Sequence, residues 1–320
     1  MTWLITGGAG YIGSHVVKRL RETGRDVVVL DDLSAGNVNR VPAGVPVVKG
    51  NLCDRGLLAE AMAGHHVDGV VNLAARKSVP ESVAQPLWYY RENLGGFIAL
   101  LDAMAEVGVT RLVQSSSAAI YGDAGPVLDE DTPTVPLSPY ARTKLMAEQV
   151  LVDSADSTGL SYLALRYFNP VGAVAPALAE VGGTNIFALL FSAIDAGRPF
   201  GVTGADYDTR DGSGLRDYLH IADLADAHVA AASYLDNQEC REIVNIGTGI
   251  GYTVFELLDM VREVTGLPVP HEVVARRPGD PAGAVASVTK AERLLGWRAH
   301  RDLRDMVDSA WRMWRQQRDG

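Results

Sequence analysis

The chain has 320 residues, 47% apolar and 21% charged, which is the composition of a folded globular protein and excludes a disordered one. Its 29 Lys and Arg against 39 Asp and Glu leave a net charge of −10, which argues against a nucleic-acid binder but leaves room for an anionic small ligand at helix N-termini. Two cysteines, Cys53 and Cys240, stand in no metal or redox spacing and point to a reducing compartment, the cytoplasm. No apolar run is long enough to span a membrane, and the N-terminus lacks the basic start of a signal peptide.

In chain order, short apolar or β-branched runs at Thr2–Thr6, Asp26–Leu30, Val45–Lys49, Gly69–Leu73, Arg111–Ser115 and Ser161–Arg166 read as strands. Their apolarity is continuous rather than alternating, which suits parallel strands buried on both faces. Helical patterns at Ser14–Glu22, Leu57–Ala63, Trp88–Glu106 and Tyr140–Ser154 lie between them. Further on, Pro170–Thr184 and Gly201–Gly214 read as loops, and Ile186–Ala196 as a helix. Leu215–His220 and Glu242–Ile246 read as strands around the helix Ile221–Leu235. Val254–Thr265, Thr289–Leu295 and Leu303–Gln317 close the chain as helices. The alternation predicts an α/β fold, a Rossmann-type doubly wound parallel sheet with a smaller α/β C-terminal substrate domain. The expected division is 1–168, with 216–246 returning to it, against 169–215 and 247–320.

Thr6-Gly7-Gly8-Ala9-Gly10-Tyr11-Ile12-Gly13 joins the first strand to the first helix. Gly7 permits a tight turn, Gly10 admits a pyrophosphate to the backbone, and Gly13 lets helix and strand pack closely. Amides at the helix N-terminus then face the phosphates. Asp31 ends the second strand, where a carboxylate bonds an adenosine ribose and repels a 2′-phosphate. With Asp32 beside it and no Arg next in sequence, the pair favours NAD over NADP. Asn51 and Leu52 fall where an adenine edge would lie, and Asn72-Leu73-Ala74-Ala75 places small residues where the cofactor would cross the sheet.

Ser115-Ser116-Ser117 closes the fifth strand, and Tyr140 and Lys144 share one face of a helix that starts after Pro139. An ammonium near a phenol moves it from its ordinary pKa of about 10 toward neutrality. Such a Tyr takes a proton from an alcohol while hydride leaves the same carbon, and Ser117 bonds the hydroxyl or the nascent ketone. A lone Tyr-x-x-x-Lys is common on surface helices, but its conjunction with a Gly-rich turn and a Ser-ended strand points to nucleotide-dependent redox chemistry.

These segments, with Leu165–Ala173 (LRYFNPVGA) and Arg216–His228 (RDYLHIADLADAH), resemble the extended short-chain dehydrogenases/reductases. More narrowly, the chain resembles the UDP-glucose/UDP-galactose 4-epimerases from Leu4 to about Trp297. The resemblance implies a tightly held NAD, a UDP-sugar substrate oxidised transiently to the 4-ketone, and inversion at C4. Tyr140 is the implied base, Ser117 its partner, and Lys144 holds the nicotinamide ribose. Cofactor contacts are implied at Leu33, Ser34, Ala35, Gly36, Lys77, Asn93, Ser115, Tyr167 and Phe168, besides the residues above. Lys77, Asn169, Asn185, Arg216, Arg277 and Asp280 are the implied substrate contacts, with the arginines suited to a diphosphate. A homodimer through the helices Trp88–Glu106 and Tyr140–Ser154 is implied by the same analogy.

The chain departs from the family pattern at several places. Asn72 replaces the usual His at the end of the fourth strand, Asn51 an Asp, and Ala119 a hydroxyl residue. Ala284 falls where a Tyr usually gates the hexose pocket, and Val174–Gly183 is unlike the usual loop. Room at Ala284 suits a bulkier sugar, such as an N-acetylated one. The rivals are 4-epimerases of UDP-N-acetylhexosamines, UDP-hexuronates or pentoses, or a tailoring epimerase of an unusual activated sugar. A 4,6-dehydratase needs carboxyl groups after Ser117, where Ala118 and Ala119 stand. A cofactor-binding regulator without turnover is disfavoured by the joint presence of Ser117, Tyr140 and Lys144.

Overall fold

The computed structural model describes residues 1–180, 185–276 and 281–319. Its strands are β1 (Thr2–Thr6), β2 (Asp26–Asp31), β3 (Val47–Lys49), β4 (Gly69–Asn72), β5 (Arg111–Ser117), β6 (Val127–Leu128), β7 (Ser161–Tyr167), β8 (Asn169–Val171), β9 (Phe200–Thr203), β10 (Leu215–Arg216), β11 (Tyr218–His220), β12 (Arg241–Ile246), β13 (Tyr252–Thr253), β14 (His271–Val274) and β15 (Gly283–Ala286). Its α-helices are α1 (Tyr11–Glu22), α2 (Arg55–Gly64), α3 (Val79–Ala84), α4 (Pro86–Tyr89), α5 (Gly96–Val107), α6 (Pro139–Thr158), α7 (Ile186–Asp195), α8 (Ile221–Asn237), α9 (Val254–Thr265), α10 (Thr289–Leu295) and α11 (Leu303–Asp319). They form two compact units.

The first unit comprises residues 1–120, 136–166 and 225–244. Its sheet has seven strands in the order β12-β7-β5-β4-β1-β2-β3. The pairs β1–β2, β1–β4, β2–β3 and β4–β5 are parallel. Strand order reverses between β1 and β4, which opens the crevice where doubly wound sheets take their ligands. β1 and β4 are buried along almost their whole length, which is why they read as unbroken apolar runs. One core cluster packs Leu4, Val28, Val70 and Leu112 of the sheet against Leu58, Phe97, Leu100 and Leu151 of α2, α5 and α6. α6 starts after Ser138, whose Oγ accepts the Ala141 amide at 3.2 Å, with Pro139 in the first turn, and ends at Gly159 in the left-handed region.

The second unit comprises residues 121–135, 167–224 and 245–320. Its sheets are β13-β10-β15-β6, β11-β8 and β14-β9. A second core joins Phe187, Leu190 and Phe191 of α7 to Leu257 and Val261 of α9 and Met306, Val307 and Trp314 of α11. A capping box at Thr253 and Glu256 starts α9.

Several expectations change. Trp88–Glu106 is not one regular helix: α4 passes through a π-helical turn, Tyr90–Gly95, into α5. Leu215–His220 breaks at Asp217, so β10 joins one sheet and β11 another. The predicted loops Pro170–Thr184 and Gly201–Gly214 overlap β8 and β9, which are short edge strands in two-stranded sheets and carry no hydrophobic period.

Candidate active site

The Gly-rich turn lies at the reversal between β1 and β4. Gly7 has φ +69°, and a Cβ there would come within 2.8 Å of the Ala74 amide nitrogen. A Cβ at Gly13 would lie 2.1 Å from the Gly7 carbonyl oxygen, so α1 can start here only without one. At Gly10, by contrast, an added Cβ would meet the Gly7 oxygen at 3.2 Å and, outside its own chain neighbours, no other atom of the described residues within 4 Å. The turn thus exposes backbone at Gly10 and at the N-terminus of α1, and this cradle fits a dinucleotide pyrophosphate.

Asp31 is buried at the end of β2, and its carboxylate accepts the amides of Ala9 and Leu33, each at 2.9 Å. It thereby ties the Gly-rich turn to the 32–36 loop, where Leu33 adopts φ +59°. Asp32 accepts the Ser34 amide at 2.9 Å. The sequence sets no arginine next to these aspartates, but the fold does. Arg76 donates to Ser34 Oγ at 2.7 Å, Asp32 at 3.1 Å and Glu92 at 3.3 Å, and lies over the Trp88 ring. Two carboxylates already engage this guanidinium, which sets it apart from an arginine waiting for a 2′-phosphate. Asn51 donates to Asp32 and Glu92 and accepts the Cys53 amide at 2.8 Å. Asn93, on the π-helical turn, accepts the Arg76 amide at 2.8 Å and donates to the Arg76 carbonyl at 3.0 Å and Thr143 Oγ1 at 3.1 Å. It thereby clamps the segment after β4, which carries Ala74, Ala75 and the exposed Lys77, to the start of α6.

Ser117 ends β5 and Tyr140 opens α6, with the Ser117 hydroxyl close enough to act on the phenol. Burial pushes the Tyr140 phenol up from its ordinary value, and the Ser117 hydroxyl pulls it partly back. This corrects the expected depression, since in the protein alone the Lys144 ammonium is engaged elsewhere. Lys144 Nζ donates to the Ser115 carbonyl at 2.9 Å and lies 3.4 Å from Ser115 Oγ. Burial brings Lys144 down to about 8, against the opposing pull of Glu148. Glu148, one turn further along α6, is paired twice with Arg166 of β7, at 2.7 and 3.0 Å, and accepts from Ser116 Oγ at 2.5 Å. The sequence reading missed this pair, although Glu148 continues the Tyr140–Lys144 spacing by another four residues on the same helix face.

In the second unit Asn169 is exposed at the start of β8, and Phe168 before it is buried while Tyr167 is half-buried. Asn185 caps α7, accepting the Phe187 amide at 3.0 Å, and donates to the Pro170 carbonyl at 3.0 Å. It therefore sits beside the strand that carries Asn169. Arg216 lies in register with Tyr252 on one side and Ala284 on the other. Asp217 and Asp223, downstream of it in the same segment, are committed elsewhere. Asp217 accepts from the Thr248, Gly249 and Ala286 amides at 2.9–3.1 Å. Asp223 pairs with Arg301. Arg277 and Asp280 lie outside the described residues.

The model of the NAD dependent epimerase/dehydratase family matches residues 3–247. The chain belongs to this family. It is 40% identical to the UDP-glucose 4-epimerase of Lactobacillus helveticus, over 98% of this chain and 96% of that protein. It is 43% identical to the UDP-glucose 4-epimerase of Azospirillum brasilense, over 95% of this chain and 89% of that protein. Among solved structures, the UDP-glucose 4-epimerase of Stenotrophomonas maltophila, with bound NAD and formylated UDP-arabinopyranose, superposes with a TM-score of 0.93 at 41% identity, covering 100% of both chains.

Proposed function

We propose that this chain is an NAD-dependent UDP-hexose 4-epimerase of the UDP-glucose/UDP-galactose type. The observation that carries the reading is the conjunction, in one unit, of the Gly-rich turn, Ser117 at the end of β5, and Tyr140 with buried Lys144 one helical turn further on. NAD, when bound, supplies a reversible hydride acceptor for C4 of the sugar. The turn from Gly7 to Gly13, Asp31 and the 32–36 loop hold it, with Asn51, Leu52, Leu73–Ala75, Lys77, Asn93, Ser115, Tyr167 and Phe168 as further contacts.

Tyr140 removes the proton from the 4-hydroxyl and returns it after the sugar has turned its other face. Ser117 holds the sugar oxygen through both transfers. Lys144 lowers the cost of the phenolate, because a cation beside it favours the charged form. Asn169, Asn185, Arg216, Arg277 and Asp280 take the UDP part, the arginine forks matching phosphate oxygens. The small side chain of Ala284, in register with Arg216, supports tolerance of N-acetylated hexoses beside the simple ones.

Exposed apolar side chains at Ile98, within Trp88–Glu106, and at Met146 and Val152, within Tyr140–Ser154, support a homodimer through these helices. The scarcity of cysteine supports the cytoplasm. Incubation with UDP-galactose and no added cofactor, followed by chromatography for UDP-glucose, tests the function. Tyr140→Phe should keep its NAD and lose turnover by about 10²–10⁴-fold. A Tyr140→Phe enzyme near wild-type turnover refutes the assignment.

A further inference from the structure

Thr6 of β1, Asn72 of β4 and Gln114 of β5 stand in one row across three adjacent strands. Thr6 is in register with Asn72, and Asn72 with Gln114. All three are polar, and all are at most 3% exposed. A polar side chain buried in a sheet is costly unless it is bonded, and apolar residues would fill the same row without that demand. Here every link is made. Thr6 Oγ1 accepts the Ala74 amide at 3.3 Å and donates to Asn72 Oδ1 at 2.5 Å. Asn72 Nδ2 donates to Gln114 Oε1 at 2.8 Å, and Gln114 Nε2 to the Ser115 carbonyl at 2.9 Å. That same carbonyl oxygen receives Lys144 Nζ at 2.9 Å.

The sense of the chain is fixed at the Ser115 end. A carbonyl oxygen can only accept, so Gln114 turns its nitrogen to Ser115 and its oxygen to Asn72. Asn72 must then present its nitrogen to Gln114 and its oxygen to Thr6, whose hydroxyl donates to it. One end of the row thus adjoins Gly7 and Ala74, and the other ends on the oxygen that carries the lysine.

We propose that Asn72 and Gln114 are positioning residues for Lys144: their directed hydrogen bonds couple the cofactor turn to the Ser115 carbonyl and so set how firmly that carbonyl holds the ammonium. The proposal rests on the reading of Tyr140 and Lys144 as the reaction's groups. It also gives a task to Asn72, which stood out in the sequence as a departure from the family's usual His.

Two donors on one oxygen weaken each other, so Gln114 keeps the hold on Lys144 loose and leaves the ammonium available to the phenol and the ribose. Besides the Ser115 carbonyl, Ser115 Oγ lies 3.4 Å from Lys144 Nζ, and Glu148 on the same helix acts on its charge, itself paired with Arg166 of β7. Without the Gln114 donor the Ser115 oxygen serves the ammonium alone. The charged form is then favoured, and Lys144 titrates higher.

The test uses NAD-loaded wild type and Gln114→Met, which fills nearly the same space without the donor. The five lysines of the chain are Lys18, Lys49, Lys77, Lys144 and Lys290, so Lys144 can be followed by nuclear magnetic resonance on 13C-labelled lysine, assigned with Lys144→Met. In Gln114→Met the Lys144 titration should move up by about half a pH unit or more while the other four stay. kcat should fall about tenfold with KM within about twofold, as for an interaction that matters in the transition state. Asn72→Leu, close in size and uncharged, removes the donor that orients Gln114, should shift Lys144 the same way, and keeps the experiment decisive where Gln114→Met fails to fold. A folded variant with wild-type Lys144 titration and wild-type kcat overturns the proposal. Failure of the wild-type protein to interconvert UDP-galactose and UDP-glucose would instead strike the functional reading, while the titration still decides this one.

Discussion

Glu148 and Arg166 form a buried ion pair with side chains only 3% and 6% exposed. Glu148→Met fills the volume but leaves the guanidinium without its two carboxylate bonds and Ser116 without its acceptor. An uncompensated buried charge of this kind costs about 3–5 kcal/mol. Arg166→Met strands the carboxylate at a comparable cost. The double variant removes both charges and should lie within about 1 kcal/mol of wild type, since apolar replacement of a buried pair is often neutral. Urea unfolding followed by circular dichroism, run as a double-mutant cycle, measures the coupling. Glu148 also favours the Lys144 ammonium, so Glu148→Met should send Lys144 below about 8 and move the alkaline limb of activity to lower pH, opposite to Gln114→Met. A single variant costing under about 1 kcal/mol, or a double variant costing the sum of both singles, refutes the reasoning.

Burial holds His15 of α1 neutral, down from 6.5 to about 4. The unfolded chain takes up this proton first, so stability is full above 6.5 and falls toward about 4, by about 3 kcal/mol for this group; urea midpoints across that range should drop less in His15→Gln. Mass spectrometry of the cofactor released on denaturation should find NAD, because Asp31 would meet a 2′-phosphate with like charge; mainly NADP would show that Asp31 has another role. Ala284→Tyr should lower the specificity constant for UDP-N-acetylgalactosamine relative to UDP-galactose, since steric exclusion discriminates where added room does not. An unchanged ratio would remove Ala284 from the sugar pocket.

Strands of the first unit could be read because burial on both faces leaves an unbroken apolar signature. Val27–Leu30 and Val70–Val71 are such runs, and β2 and β4 end within a residue of their expected limits. β6, β10 and β13 are two residues each, too short to show any period, and β14 is exposed throughout. The same division applies to the site. The Gly-rich turn and the Tyr140–Lys144 spacing are local in the chain, so a reader can see them. The contact between Asn72 and Gln114 depends on the β4–β5 register, and Arg76 reaches Asp32 only because β4 ends beside β2's neighbour β1. No spacing encodes either. Glu148 lies within the expected helix Tyr140–Ser154, but its partner, Arg166, comes from strand β7, and no spacing encodes that pairing.

The π-helical turn at Tyr90–Gly95 is a helix with one residue to spare. Such an insertion leaves the helical faces before and after it in phase, so that Tyr89 and Phe97 both stay buried. Removing Leu94 would let the segment close as an ordinary α-helix and relieve the poorer geometry of the wide turn. It would also swing the Asn93 carboxamide away from the Arg76 backbone and from Thr143, beside Lys144. The surplus residue is therefore a debt in stability that the clamp keeps outstanding. The deletion variant should melt no lower than the full chain yet hold its NAD more loosely, and a lowered melting temperature with NAD retained would show that the turn serves packing instead.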